Sequence, residues 1–158
     1  MPFNDLLMTC LLVSERSFSE SGVRVSVQTR QGEEILFFRL DQESYFRQRI
    51  GKSNPICDLL IFYAHKDKQE KILCLIELKG RDVNHAVEQI IATKQSLESN
   101  GLKDFSANII WKAYIRIHGS APINLKEKNM DGLEQVFGKR NYRVRRDQDV
   151  GAFLRSDK

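Results

Sequence analysis

Apolar and polar positions recur along this chain with a period that changes from block to block, and each change marks a predicted element. Near the start Leu6, Leu7, Leu11 and Leu12 fall at helical spacing, which predicts a first helix with one face on the core. Ser19 to Gly22 break that pattern. Val23, Val25 and Val27 then alternate with Arg24, Ser26 and Gln28, the period of a half-buried strand. Gln31-Gly32 reads as a turn, and residues 35–40 as the hairpin partner of that strand. Asp41 is suited to cap a short helix carrying Tyr45, Phe46 and Ile50, closed by residues 51–55.

Two strongly apolar runs follow, residues 56–64 and 72–78, joined by the polar connector 65–71. Both are apolar on alternate and intervening positions, as expected of strands inside a sheet that is covered on both faces. Gly80 ends the second run, and Asp82 is positioned to cap a helix whose Val83, Val87, Ile90, Ile91 and Leu97 share one stripe. Asn100-Gly101 is a helix stop. Residues 108–118 predict another strand, with Ile109, Trp111, Ala113, Ile115 and Ile117 on one face and Lys112, Tyr114, Arg116 and His118 on the other. A short helix near 133–137, a basic segment 138–146 and a last helical turn with Val150, Phe153 and Leu154 complete the chain. This order predicts an α/β fold, a mixed β-sheet flanked by helices.

The 158 residues fit one domain, 1–158, with no repeat or linker to divide it. No apolar run approaches the roughly 20 residues of a membrane span. The first residues carry Asp5 and no basic cluster, unlike a secretory leader, so a cytoplasmic location is expected. Cys10, Cys57 and Cys74 each lie in an apolar stretch without a second Cys or His at ligand spacing. They read as buried thiols rather than a zinc site or a disulfide framework. A formal charge of +4 permits a polyanionic partner without requiring one.

Two carboxylates stand out against this pattern. Asp58 and Glu77 interrupt runs that are otherwise apolar, where an ionised carboxyl needs a cation, hydrogen bonds or a shifted pKa. If the connector turns symmetrically about Asp67-Lys68, the antiparallel register sets Asp58 directly opposite Glu77. Like charges so paired repel, and a divalent cation between them would remove the repulsion. Lys79, two residues beyond Glu77, shares its face of the strand. Oxygen ligands suit Mg²⁺ or Mn²⁺, and two acids with an ammonium suit phosphodiester hydrolysis. The competing reading is an ordinary Glu77–Lys79 surface pair with Asp58 merely opening a strand.

These residues, in NPICDLLIFY, ILCLIELKG and RDVNHAVEQIIATK, resemble the PD-(D/E)XK nuclease superfamily, the restriction-endonuclease-like fold. The resemblance covers residues 54–94 and implies a restriction-endonuclease-like core around a Mg²⁺- or Mn²⁺-dependent endonuclease site acting on DNA rather than RNA. It makes Asp58 and Glu77 metal ligands, with the carbonyl of Leu78 as a further one, and Lys79 the catalytic lysine. It also points to Gln89, on the helix after the lysine strand, as a residue facing the site; a solvent-facing helical Gln is the other reading. Cys57 stands where the motif has proline, with Pro55 two residues earlier. Glu15 and Glu20 are candidates for the N-terminal Glu that many branches carry. Thr93 stands where the exonuclease branch has tyrosine, which disfavours that branch.

Outside this core, His85 is a candidate proton carrier or an exposed helix residue. Lys112, Tyr114, Arg116 and His118 form a face suited to a nucleic-acid groove or to plain solvation. Lys139, Arg140, Arg143, Arg145 and Arg146 are the densest basic cluster, suited to DNA phosphates, although Tyr142 and Val144 alternate with the arginines as in an amphipathic strand. A homodimer or a separate recognition partner is expected by analogy. The alternative function is a non-catalytic nucleic-acid-binding or assembly module that retains the nuclease fold. A protein-interaction domain without nucleic acid would leave the acid pair unexplained.

Overall fold

A computed structural model describes residues 2–42, 45–51, 53–79, 82–100, 108–120 and 122–155. Its elements in chain order are α1 (Pro2–Thr9), β1 (Leu11–Leu12), β2 (Ser17–Glu20), β3 (Val23–Ser26), β4 (Glu33–Arg39) and α2 (Tyr45–Ile50). There follow β5 (Leu59–His65), β6 (Lys71–Lys79), α3 (Val83–Ser99), β7 (Ile109–Ile117), α4 (Glu127–Phe137), β8 (Tyr142–Arg145) and α5 (Gly151–Arg155). Six strands form a mixed sheet in the order β1-β4-β5-β6-β7-β8, and β2 with β3 forms a separate two-stranded sheet. The strands from β1 to β6 pair antiparallel, while β6, β7 and β8 run parallel. The parallel β6–β7 pair needs a crossover, which α3 supplies.

Both faces of the sheet are covered, as the doubly apolar runs require. Leu60, Leu73, Leu75, Ala113, Ile115 and Ile117 pack beneath the helices with Leu6, Phe46, Val87, Ile90 and Leu133. On the opposite face Leu59, Ile61, Ile72, Cys74, Ile76 and Tyr114 pack against Val23 and Val25 of the small hairpin and Leu154 of α5. A buried ion pair ties the C-terminal helix to the sheet. Arg155 Nε and Nη2 donate to Glu33 Oε1 and Oε2 at 2.6 and 2.9 Å, and Tyr63 donates to the same carboxylate. All three cysteines are buried, as expected. Among the described residues no helix is long and apolar enough to cross a membrane.

Several elements depart from the sequence expectation. The first helix stops at Thr9, so Leu11 and Leu12 leave its stripe and pair with Phe38 and Phe37 at the sheet edge. The expected hairpin between 23–27 and 35–40 does not form. β3 pairs instead with β2, and β4 turns its hydrogen bonds to β1 and β5. The strand β2 has only Phe18 buried, too few apolar residues to show a period. The helix near 133–137 begins earlier, at Glu127, because its first turns are polar and solvent-facing. The basic segment holds β8, whose buried Val144 explains the alternation within it. Gly80 and Gly101, the expected stops, and the residues just before α2, where its cap would sit, lie outside the described residues.

Candidate metal and catalytic site

The β5–β6 ladder runs from Tyr63↔Ile72 to Leu59↔Ile76, which is the register symmetric about Asp67-Lys68. Asp58 and Glu77 are the next residues along it, and there the ladder changes character. The Asp58 amide donates to Glu77 Oε2 at 3.0 Å, and the Leu78 amide donates to Asp58 Oδ2 at 2.8 Å. Each carboxylate thus takes a main-chain amide from the other strand, in place of a carbonyl, as the strands part. Both acids are buried, Glu77 with 1% of its surface exposed.

Residues ahead of Asp58 are clamped from above by α3. Asp82 caps that helix as expected, accepting from the His85 amide at 3.0 Å. Thr93 Oγ1 accepts from the Cys57 amide at 2.8 Å, and Gln89 Nε2 donates to the Ile56 carbonyl at 3.2 Å. These residues lie one turn apart on one face of the helix, so together they fix where β5 begins. Gln89 therefore stands beside the site and positions its backbone, while its Oε1 is buried with no hydrogen-bond partner. From the other side the Leu40 amide donates to the Asp58 carbonyl at 2.9 Å.

The lysine expected at the site is there. Lys79 Nζ lies 3.0 Å from Glu77 Oε1, with about a quarter of its side chain exposed (26%). Leu78 turns its side chain into the core of the opposite face.

Two further acids complete the cluster, brought from distant parts of the chain. Glu20 ends β2 and Asp41 follows β4, and each offers an oxygen within 4.8 Å of the others and of Asp58. Glu20 is one of the two N-terminal candidates, but it arrives on a strand rather than a helix. The Ser21-Gly22 turn, with φ of 53° and 74°, aims it there. This pair of left-handed residues joining Glu20↔Val23 is a two-residue hairpin loop, a signal the sequence offered in its Ser-Gly dipeptide. Asp41, read from sequence as a helix cap, pairs with Arg39 Nε at 3.0 Å.

The electrostatics match this crowding. Burial, then the charges of Asp58 and Asp41, push Glu20 up to about 7. Burial and the charge of Glu77 push Asp58 up to about 6, against the lowering effect of the Leu78 amide. Burial raises Glu77 as well, although Lys79 pulls the other way. Glu20 Oε2 is buried with no hydrogen-bond partner. A divalent cation fits these residues: hard carboxylate oxygens, mutual repulsion, and an acceptor with nothing to accept. Glu20, Asp41 and Asp58 form the tightest group, whereas both oxygens of Glu77 already serve Lys79 and the Asp58 amide.

The remaining candidates lie apart from this cluster. His85 is exposed and sits 3.7 Å from Glu88. Lys112, Tyr114 and Arg116 point to the sheet face opposite Glu77 and Lys79. Lys112 Nζ donates to the Phe153 carbonyl at 2.6 Å, and Tyr114 donates to the Asp147 carbonyl at 2.9 Å, so both hold the C-terminal segment in place. Arg116 Nε donates to the Arg24 carbonyl at 3.1 Å. Arg146 Nε donates to the Gly119 carbonyl at 3.0 Å, and Lys139 is exposed on the turn before β8. Arg140, Arg143 and Arg145 line one cleft with Lys112 and Tyr114. No family model, no curated protein and no solved structure matches this chain.

Proposed function

We propose that this chain is a divalent-metal-dependent endonuclease that hydrolyses DNA phosphodiester bonds, with a core of the restriction-endonuclease-like, PD-(D/E)XK type. The observation that carries the reading is the convergence of Glu20, Asp41, Asp58 and Glu77 beside Lys79 at one end of the sheet, with Glu20 Oε2 buried and unpartnered. Hydrogen bonding within the fold accounts for Asp58 and Glu77, and Arg39 for Asp41, but nothing pairs with Glu20 Oε2. A helix directly after the lysine strand agrees with the resemblance.

Glu20, Asp41 and Asp58 would hold the cation, with Glu77 and the Leu78 carbonyl as the further ligands that the resemblance implies. A bound Mg²⁺ or Mn²⁺ would polarise a phosphoryl oxygen and acidify the attacking water. Lys79 Nζ would hydrogen-bond that water and offset the negative charge that develops on the phosphoryl group. Glu77 Oε1 would keep the ammonium charged and aimed. Gln89 and Thr93 act through the start of β5, holding the Asp58 backbone still while its carboxylate works.

A non-catalytic nucleic-acid-binding or assembly module with the same fold is the second reading. It is favoured by the structural hydrogen bonds that Asp58 and Glu77 make to strand amides. Cleavage of plasmid and oligonucleotide DNA in Mg²⁺ or Mn²⁺ against EDTA, for the wild type and Glu77→Ala, separates the two. The endonuclease reading expects metal-dependent cutting that the variant loses; DNA binding without cutting in any metal would support the module instead.

A further inference from the structure

On the sheet face opposite Glu77 and Lys79, β7, β8 and the C-terminal segment enclose a cleft of about 630 Å³. That volume is typical of a small-ligand site. Four cations line it, Lys112 from β7, Arg140 from the turn before β8, and Arg143 and Arg145 from β8 itself. Arg143 and Arg145 are two residues apart on an edge strand and so share a face. The register pairs them with Tyr114 and Arg116 of β7. Phe153 forms the wall, with Lys112 Nζ 4.8 Å and Arg143 Cζ 5.4 Å from its ring centre. Burial lowers the pKa of Lys112, so an anion nearby would be welcome.

Two acids also line the cleft, Asp147 and Asp149. The Asp149 carboxylate is partly engaged, accepting from the Gly151 amide at 2.8 Å. The mixture constrains the ligand. Inorganic phosphate and acidic side chains bring negative charge against these carboxylates without the base and sugar donors that could offset it. A nucleotide carries both kinds of group, a phosphate for guanidinium forks and amino or hydroxyl donors on base and sugar for carboxylates. Phe153 adds apolar surface against which a base or sugar can rest.

We propose that this cleft binds a phosphorylated nucleoside unit, its phosphate held by Arg140, Arg143 and Arg145 and its base or sugar donors by Asp147 and Asp149. The unit is either a free nucleotide or one residue of a nucleic-acid strand. The site is separate from the carboxylate cluster and does not depend on the hydrolytic reading.

The test is equilibrium binding to the full chain in EDTA, where metal-dependent cutting is absent. The probes are adenosine monophosphate, a short labelled single-stranded oligodeoxynucleotide, inorganic phosphate and polyglutamate. Binding of the mononucleotide identifies a free-nucleotide site, and binding of the oligonucleotide alone identifies a strand site. Either is expected to weaken about tenfold or more in Arg140→Gln/Arg145→Gln, two exposed positions whose replacement leaves the core intact, with a shallower salt dependence. Asp147→Asn is expected to weaken nucleotide binding while improving that of inorganic phosphate. The proposal is overturned if neither nucleotide probe binds, if the double variant binds unchanged while melting like the wild type, or if polyglutamate displaces the nucleotide equally well.

Discussion

Replacing Glu20 with Gln removes one charge from the carboxylate cluster and keeps its shape. Its oxygens and those of Asp41 and Asp58 lie within 4.8 Å of one another. Two unit charges at 4.8 Å repel by about 1 kcal/mol in surroundings like bulk water and by about 3.5 kcal/mol at the effective dielectric of a protein surface. Arg39 offsets the contribution of Asp41, so the Asp58 pair dominates. Glu20→Gln is therefore expected to stabilise the protein by about 1–3 kcal/mol at pH 8 in EDTA. For a chain of this size that raises the melting temperature by about 2–4 °C per kcal/mol. Near pH 4, below the ordinary value of 4.5, wild-type Glu20 is protonated in the folded chain and largely so in the unfolded one, and the gain should all but vanish. Mn²⁺ should reverse the order, stabilising the wild type more than the variant. Thermal melts at both pH values, with and without Mn²⁺, read all three effects. A variant that melts at or below the wild type at pH 8 in EDTA would refute the claim that these carboxylates repel one another.

The cluster and the Glu33–Arg155 pair shape stability against pH in opposite ways. The raised pKa values of Glu20 and Asp58 mean that the folded state binds more protons than the unfolded one between about pH 4 and 7. Stability from this cluster therefore falls as pH rises through that window in EDTA, and melting curves recorded across it should show the loss, with saturating Mg²⁺ flattening it. Glu33 behaves oppositely. Arg155 holds it down at about 2, so its contribution is present above the ordinary carboxylate range and is lost as pH falls toward 2. Arg155→Leu strands a buried carboxylate and should cost about 3 kcal/mol or more at pH 7. Urea unfolding that detects no loss would sink that assignment.

What could be read from the sequence was whatever local chemistry decides. The β5–β6 register followed from a connector of balanced length, and it brought Asp58 and Glu77 together as expected. Asp82 announced α3, and the alternation in β7 separated Lys112 and Tyr114 from Ala113 and Ile115, as the two cores show. The misread parts depended on distant partners. Val23 and Val25 look alike whether β3 pairs with β2 or β4, and only the packed sheet decides. Leu11 and Leu12 kept helical spacing by coincidence, then found Phe38 and Phe37. Glu20 could not be chosen over Glu15 because the polar strand β2 hides its period, leaving only Ser21-Gly22 to mark the hairpin, and Asp41 read as a helix cap. Lys112 and Tyr114 were legible as a face. That their ends would seek the carbonyls of Phe153 and Asp147 was not, since those acceptors lie 41 and 33 residues further along the chain.

The account rests on the carboxylate cluster accepting a divalent cation. Mn²⁺ titration followed by electron paramagnetic resonance, on the wild type and on Asp58→Asn, tests this most directly. Saturable binding that tightens as pH rises from 6 to 8, with Glu20 near 7 and Asp58 near 6 giving up their protons, is the result expected, and Asp58→Asn should weaken it at least about tenfold. Free Mn²⁺ signal undiminished by either protein at millimolar cation would contradict it.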